Sequence, residues 1–173
     1  MSTNAPAAKR QKLNGRGGQR AASCRLHEAV AAQQIEAVKT MLQLDKVHCA
    51  FNDCEPLLAQ QDQLGRTPLY VCAAQRGCIE EVYLTLELLL HDEANLLKAA
   101  SKQDSAGRTV LHALVPKNEE LNLGELLQAF KALGIAGALL SVKDHEGVTV
   151  TTLARRIGYQ GTIECLKRYC KQV

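Results

Sequence analysis

A phrase that opens on aspartate and closes on threonine recurs three times along the chain: Asp62-Gln-Leu-Gly65-Arg-Thr67, Asp104-Ser-Ala-Gly107-Arg-Thr109 and Asp144-His-Glu-Gly147-Val-Thr149. Its glycines stand 42 and 40 residues apart. Self-similarity at such a period belongs to arrays of stacked supersecondary units, each burying its apolar face against the next. Function in such an array is to be sought on its surfaces.

Each residue type in the phrase has a physical task. Aspartate and glycine suit a tight turn, the glycine being free to adopt positive φ. Thr67 offers a side-chain oxygen to unpaired backbone N–H groups at a helix start, and Pro68 fits the first helical position, where its missing N–H costs nothing. Leu69 opens a buried stripe. Cys72, Ala73 and Ala74 keep that face small, so a second helix can approach closely.

These residues resemble the ankyrin repeat family, whose turn is followed by Thr-Pro-Leu-His-x-Ala and a helix pair. A further copy without the leading turn aligns as a first repeat, with Leu26-His27-Glu28-Ala29-Val30 and then Ile35-Glu36-Ala37-Val38-Lys39-Thr40-Met41-Leu42. The last copy continues with Leu153 to Tyr159, then Ile163 and Leu166 at core positions of its second helix. The resemblance implies an all-α solenoid of about four repeats, near 23–61, 62–103, 104–143 and 144–173, forming one domain over 23–173. By the same resemblance His27 and His112 bridge neighbouring turns by hydrogen bonds, with Tyr70 replacing the imidazole in the second copy.

The family's spacing is about 33 residues, so the interior repeats carry surplus length. The apolar run Ile79 to Leu90 predicts a second helix about one turn longer than usual, and Ala94 to Ala100 an added or prolonged helix. Pro116 should stop the third repeat's first helix near Val115. Apolar residues at 121, 123, 126, 127, 130 and 133 predict a helix within Asn118 to Leu133, followed by a long connection from Gly134 to Ser141. Another insertion is expected from Lys46 to Gln60.

Hydrophobic residues make up 46% and aromatics 3% of the chain, a composition that suits cores of leucine, alanine and valine between helices. No run of about 20 apolar residues is present to span a membrane, and the amino terminus lacks the apolar segment of a secretory signal. Seven cysteines, an odd count with no such signal, argue for reduced thiols in the cytosol or nucleus. Cys72 reads as core packing. Cys49 and Cys54, with His48 beside them, fit zinc spacing poorly, and no metal or other cofactor is expected.

The segment Met1 to Arg25 holds six basic residues and no acidic one, leaving 15 basic and 18 acidic residues for the rest. Residues 1–22 cannot bury enough apolar surface to offset ordering entropy and read as a disordered tail. Within it Pro6-Ala7-Ala8-Lys9-Arg10-Gln11-Lys12-Leu13 is similar to the nuclear-import signal of the Myc transcription factors. This implies that Lys9, Arg10 and Lys12 bind an import receptor, and that the chain resides in the nucleus with a cytoplasmic pool. Direct nucleic-acid binding through the tail is the competing reading, weakened by the lack of interleaved aromatics for base stacking.

No phosphate loop or dinucleotide fingerprint appears, and His48, His91 and His145 have no nucleophile or carboxylate at a recognisable spacing. The chain reads as a non-enzymatic interaction module, with no catalytic residue. By the ankyrin resemblance its partner surface comprises the turn tips Gln63, Leu64 and Arg66, then Ser105, Ala106 and Arg108, then His145 and Glu146. The partner is another protein: a transcription factor, in the manner of the IκB group, or a regulatory enzyme that the stack inhibits.

Overall fold

Three Asp–Gly turns divide the chain, and each launches a short helix. The computed structural model describes residues 25–51, 54–75, 89, 93–117 and 120–170, over which the protein is all-α. In chain order the helices are α1 (25–31), α2 (Ile35–Phe51), α3 (Pro68–Ala74), α4 (Glu93–Ala100), α5 (Val110–Leu114), α6 (Glu120–Ala132), α7 (Ala136–Ser141), α8 (Val150–Ile157) and α9 (Gln160–Cys170). Single 3-10 turns lie at Leu57–Ala59 and Val115–Lys117. The basic tail with Lys9, Arg10 and Lys12, and the expected helix Ile79 to Leu90 apart from helical, fully buried Leu89, lie outside the described residues.

Local chemistry sets the helix starts. Thr67 Oγ1 accepts the Tyr70 N–H at 3.2 Å with Pro68 at the first helical position, and Thr149 Oγ1 accepts the Thr152 N–H at 3.3 Å. A side-chain cap of this kind stabilises by about 1 kcal/mol. Helices α3, α5 and α8 then pack side by side in one row, while α6 lies against α9 behind them. The buried faces are leucine-rich, with Leu69, Leu111, Leu114, Leu126 and Leu127 almost fully enclosed. Each such side chain contributes about 1.5–3 kcal/mol on leaving water. Cys72 is fully buried in α3, where its small volume lets α5 approach. No helix among the described residues is long and apolar enough to cross a membrane.

Two expected connections prove to hold helix. The segment Lys46 to Gln60, expected as an insertion, begins with the last turns of α2, since residues 46–51 contain no proline or glycine. The inner stripe of α2 runs Val38, Leu42, Asp45, Cys49, and the buried carboxylate at its third position hides the apolar period. The strap that follows is anchored too: Leu58 and Ala59 are fully buried, and the strap packs on α2, α3 and α4.

Gly134 to Ser141, expected as a long connection, contains α7. Gly134 adopts φ 71° and ends α6; its N–H reaches Lys131 O at 3.0 Å and the Ile135 N–H reaches Phe130 O at 2.9 Å, the paired bonds of a Schellman cap. With the chain reversed there, Ala136, Leu139 and Leu140 fall at i, i+3 and i+4 and all enter the core. The α-helical part of the third module's first helix ends at Leu114, and Pro116 sits in a 3-10 turn. Ala94 to Ala100 is helical within α4.

Candidate interaction surface

The three turns share one internal wiring scheme. In the first, Asp62 Oδ1 accepts the Leu64 and Arg66 N–H groups, both at 2.9 Å, while Oδ2 takes the Arg66 guanidinium through Nε at 2.8 Å and Nη2 at 2.7 Å. In the second, Asp104 Oδ1 accepts the Ala106 and Arg108 N–H groups at 2.9 Å, and Oδ2 takes Arg108 Nε at 3.0 Å and Nη2 at 2.8 Å. Asp144 keeps the two backbone bonds, to Glu146 N at 2.9 Å and Val148 N at 2.8 Å, but Val148 stands where the arginine would be. Burial pushes Asp62 and Asp104 up, yet the arginine and backbone donors outweigh it and hold both carboxyls below the ordinary carboxylate range.

Successive turns are also joined to each other. The Ser105 N–H donates to Leu64 O at 2.9 Å, and the His145 N–H donates to Ala106 O at 3.0 Å. Gln61 Nε2 reaches forward to Gln103 O at 2.9 Å, and Gln103 Nε2 reaches forward to Lys143 O at 3.2 Å, each amide also bonding the glycine carbonyl of its own turn. These glutamines, each one residue before the repeated aspartate, carry a signal that the phrase beginning at aspartate leaves out. Lys143 and Thr149 close the third turn through an isolated antiparallel bridge.

Behind the turns runs a second set of links, made by the residues that follow the first-helix leucine. His27 Nε2 donates to Arg66 O at 2.8 Å. Tyr70 hydrogen-bonds the Asp104 carboxylate; burial first and this bond second push its phenol up to about 12. His112 Nε2 donates to Val148 O at 3.2 Å while Nδ1 accepts the Thr109 N–H at 3.2 Å, which assigns the neutral Nε2–H tautomer. Burial pushes His112 below its ordinary value, against the contribution of the Val148 carbonyl. Two imidazoles and a phenol thus tie α1, α3 and α5 each to the turn that follows.

Packed this way, the tips stand side by side. Gln63, Leu64, Ser105, Arg108, His145 and Glu146 are exposed, while Arg66 and Ala106 are half-buried. Leu64, at 52% exposure, is a large apolar group offered to solvent at a turn. The guanidinium groups of Arg66 and Arg108 fold back onto their own aspartates, so their first role is to hold the turn. The tips therefore form a row with an apolar group at one end and His145 and Glu146 at the other.

Two further features lie off this row. A groove of about 760 Å³ between α6 and α9 is lined by Gly124, Gln128, Lys131, Glu164, Arg168 and Tyr169, where the Tyr169 hydroxyl donates to Gly124 O at 3.4 Å. On α2, Leu44, Val47 and Phe51 are exposed at 65%, 59% and 85%. Among the described residues no group of three or more His, Cys, Asp and Glu side chains is placed to hold a metal. No family model matches the chain, and no curated protein matches it.

Proposed function

We propose that the chain is an ankyrin-type solenoid of four repeats over 23–173 that binds another protein, acting as a nuclear adaptor or regulator that engages a transcription factor in the manner of the IκB group. What most supports an interaction module is the turn-to-turn bonding, Ser105 to Leu64 and His145 to Ala106, which sets exposed tips from successive turns in one fixed row. A row so held has little conformational freedom to lose on association, and preorganisation of that kind favours affinity. The basic tail supports the nuclear part of the reading through its likeness to an import signal. His27 and His112 are engaged with the backbone of the following turn, a positioning role that needs no chemistry of them.

The experiment is capture from nuclear extract with the purified full chain, beside a variant carrying Leu64→Ala, Ser105→Ala and His145→Ala. A transcription factor retained by the parent and lost by the variant is the expected outcome. Retention that survives the triple change removes the tips from the interface. If the chain instead suppresses a kinase on titration, the inhibitor reading replaces the adaptor, and a shift of random DNA at low salt transfers the role to the tail.

A further inference from the structure

We propose that Cys49 and Cys54 form a reversible oxidation site, closed to an intramolecular disulfide by a small-molecule disulfide of the glutathione type. Their sulfurs lie 2.9 Å apart, so formation of a bond of about 2.05 Å requires a shift of less than an ångström. Both thiols are half-buried rather than enclosed, which leaves an oxidant a path of approach. In a reducing compartment, for which the odd cysteine count argues, disulfides that do form are usually transient and sensing.

The surroundings assign different parts to the two sulfurs. Asp45, buried on the inner stripe of α2, lies 3.5 Å from Cys49 Sγ through Oδ1 and accepts the Leu57 N–H at 2.8 Å through Oδ2. Burial, the hydrogen bond to Cys54 and the nearby carboxylate push the Cys49 thiol up to about 12. The Cys49 thiol donates its proton toward the Asp45 carboxylate, so the first attack falls to Cys54. The Cys54 sulfur attacks one sulfur of glutathione disulfide, the glutathione S–S bond breaks, and the departing thiolate takes up the proton that Cys54 released. Capping Cys54 removes its hydrogen bond with Cys49. Cys49 then loses its proton and attacks Cys54 Sγ, expelling the second glutathione, which is protonated in turn. Two protein thiols are oxidised and one glutathione disulfide is reduced to two thiols. The product covalently ties the end of α2 to the strap, a link otherwise carried there by the Asp45 bond to Leu57.

The test is equilibration of the full chain in glutathione buffers of stepped ratio, alkylation of remaining thiols and mapping of linked peptides by mass. The folded chain should form the Cys49–Cys54 link at a poise about 30 mV more reducing than the same chain in urea, a tenfold change in equilibrium constant. Equal midpoints in the two states, or a first link that omits either cysteine, would overturn the proposal. Asp45→Asn should speed closure several-fold by relieving Cys49 of the carboxylate; an unchanged rate removes Asp45 from the site.

Discussion

Gly107 and Gly147 share a backbone conformation but not a neighbourhood. Both sit at positive φ, 79° and 77°, where a side chain costs about 1–2 kcal/mol. A Cβ on Gly107 would also meet His145, at 2.5 Å from Cδ2 and 2.8 Å from the backbone N, whereas a Cβ on Gly147 meets nothing within 4 Å. Gly147→Ala should therefore lose only the conformational amount by chemical denaturation, and Gly107→Ala distinctly more, because the next turn must move. Equal losses would mean that the turns do not touch as described. Tyr70→Phe isolates a different link: loss of the hydroxyl that bonds the Asp104 carboxylate should cost about 1.5–3 kcal/mol, and a neutral result would reduce Tyr70 to a space-filler. His112 is a pH-dependent member of the same set. Its folded value lies below 6.5, so the unfolded chain binds more protons, and its stabilising contribution, complete above 6.5, declines as pH falls. Asp62 and Asp104 have folded values below 3.8, so their contribution is present above 3.8 and is lost further down. Melting temperature against pH should fall in two stages, and His112→Gln should abolish the upper one.

At the scale of elements, the strap 54–60 behaves as part of the core. Leu58→Ala should cost about 2–5 kcal/mol, the range for a fully buried leucine, and a loss under 1 kcal/mol would return the strap to the status of a surface loop. That element shows where the sequence was legible and where it was not. Turns and helix starts could be read directly, because Asp62, Gly65, Thr67 and Pro68 each act on backbone within four residues of themselves. The end of α2 could not: Leu44, Val47 and Phe51 face solvent and Asp45 faces inward, so the polarity pattern runs opposite to burial. Helix α7 was hidden because six residues are too few to establish a period, and its existence depends on the Gly134 cap and on core space left by α6. On the surface, the turn tips were expected from the ankyrin resemblance, and six of those eight residues are exposed. The arginine fold-back was not expected, since an arginine four residues after an aspartate can turn inward or outward.

For the whole molecule, the essential relation is between turns. Chain order places Leu64, the Ser105–Ala106 pair and His145 far apart, and two backbone hydrogen bonds with two glutamine bridges bring them into one row. The proposed import has its own test: changing Lys9, Arg10 and Lys12 to alanine in a fusion too large to diffuse through nuclear pores should abolish nuclear enrichment, and an unchanged distribution would remove the localisation. The row itself is tested most directly by amide hydrogen exchange at Ser105 and His145, measured residue by residue on the full chain. Their amides donate to Leu64 O and Ala106 O, and those bonds should slow their exchange. Protection of both amides, lost at His145 in Gly107→Val, is the predicted result; exchange at the rate of an unstructured peptide at both positions would contradict the stacked row and the interaction surface built on it.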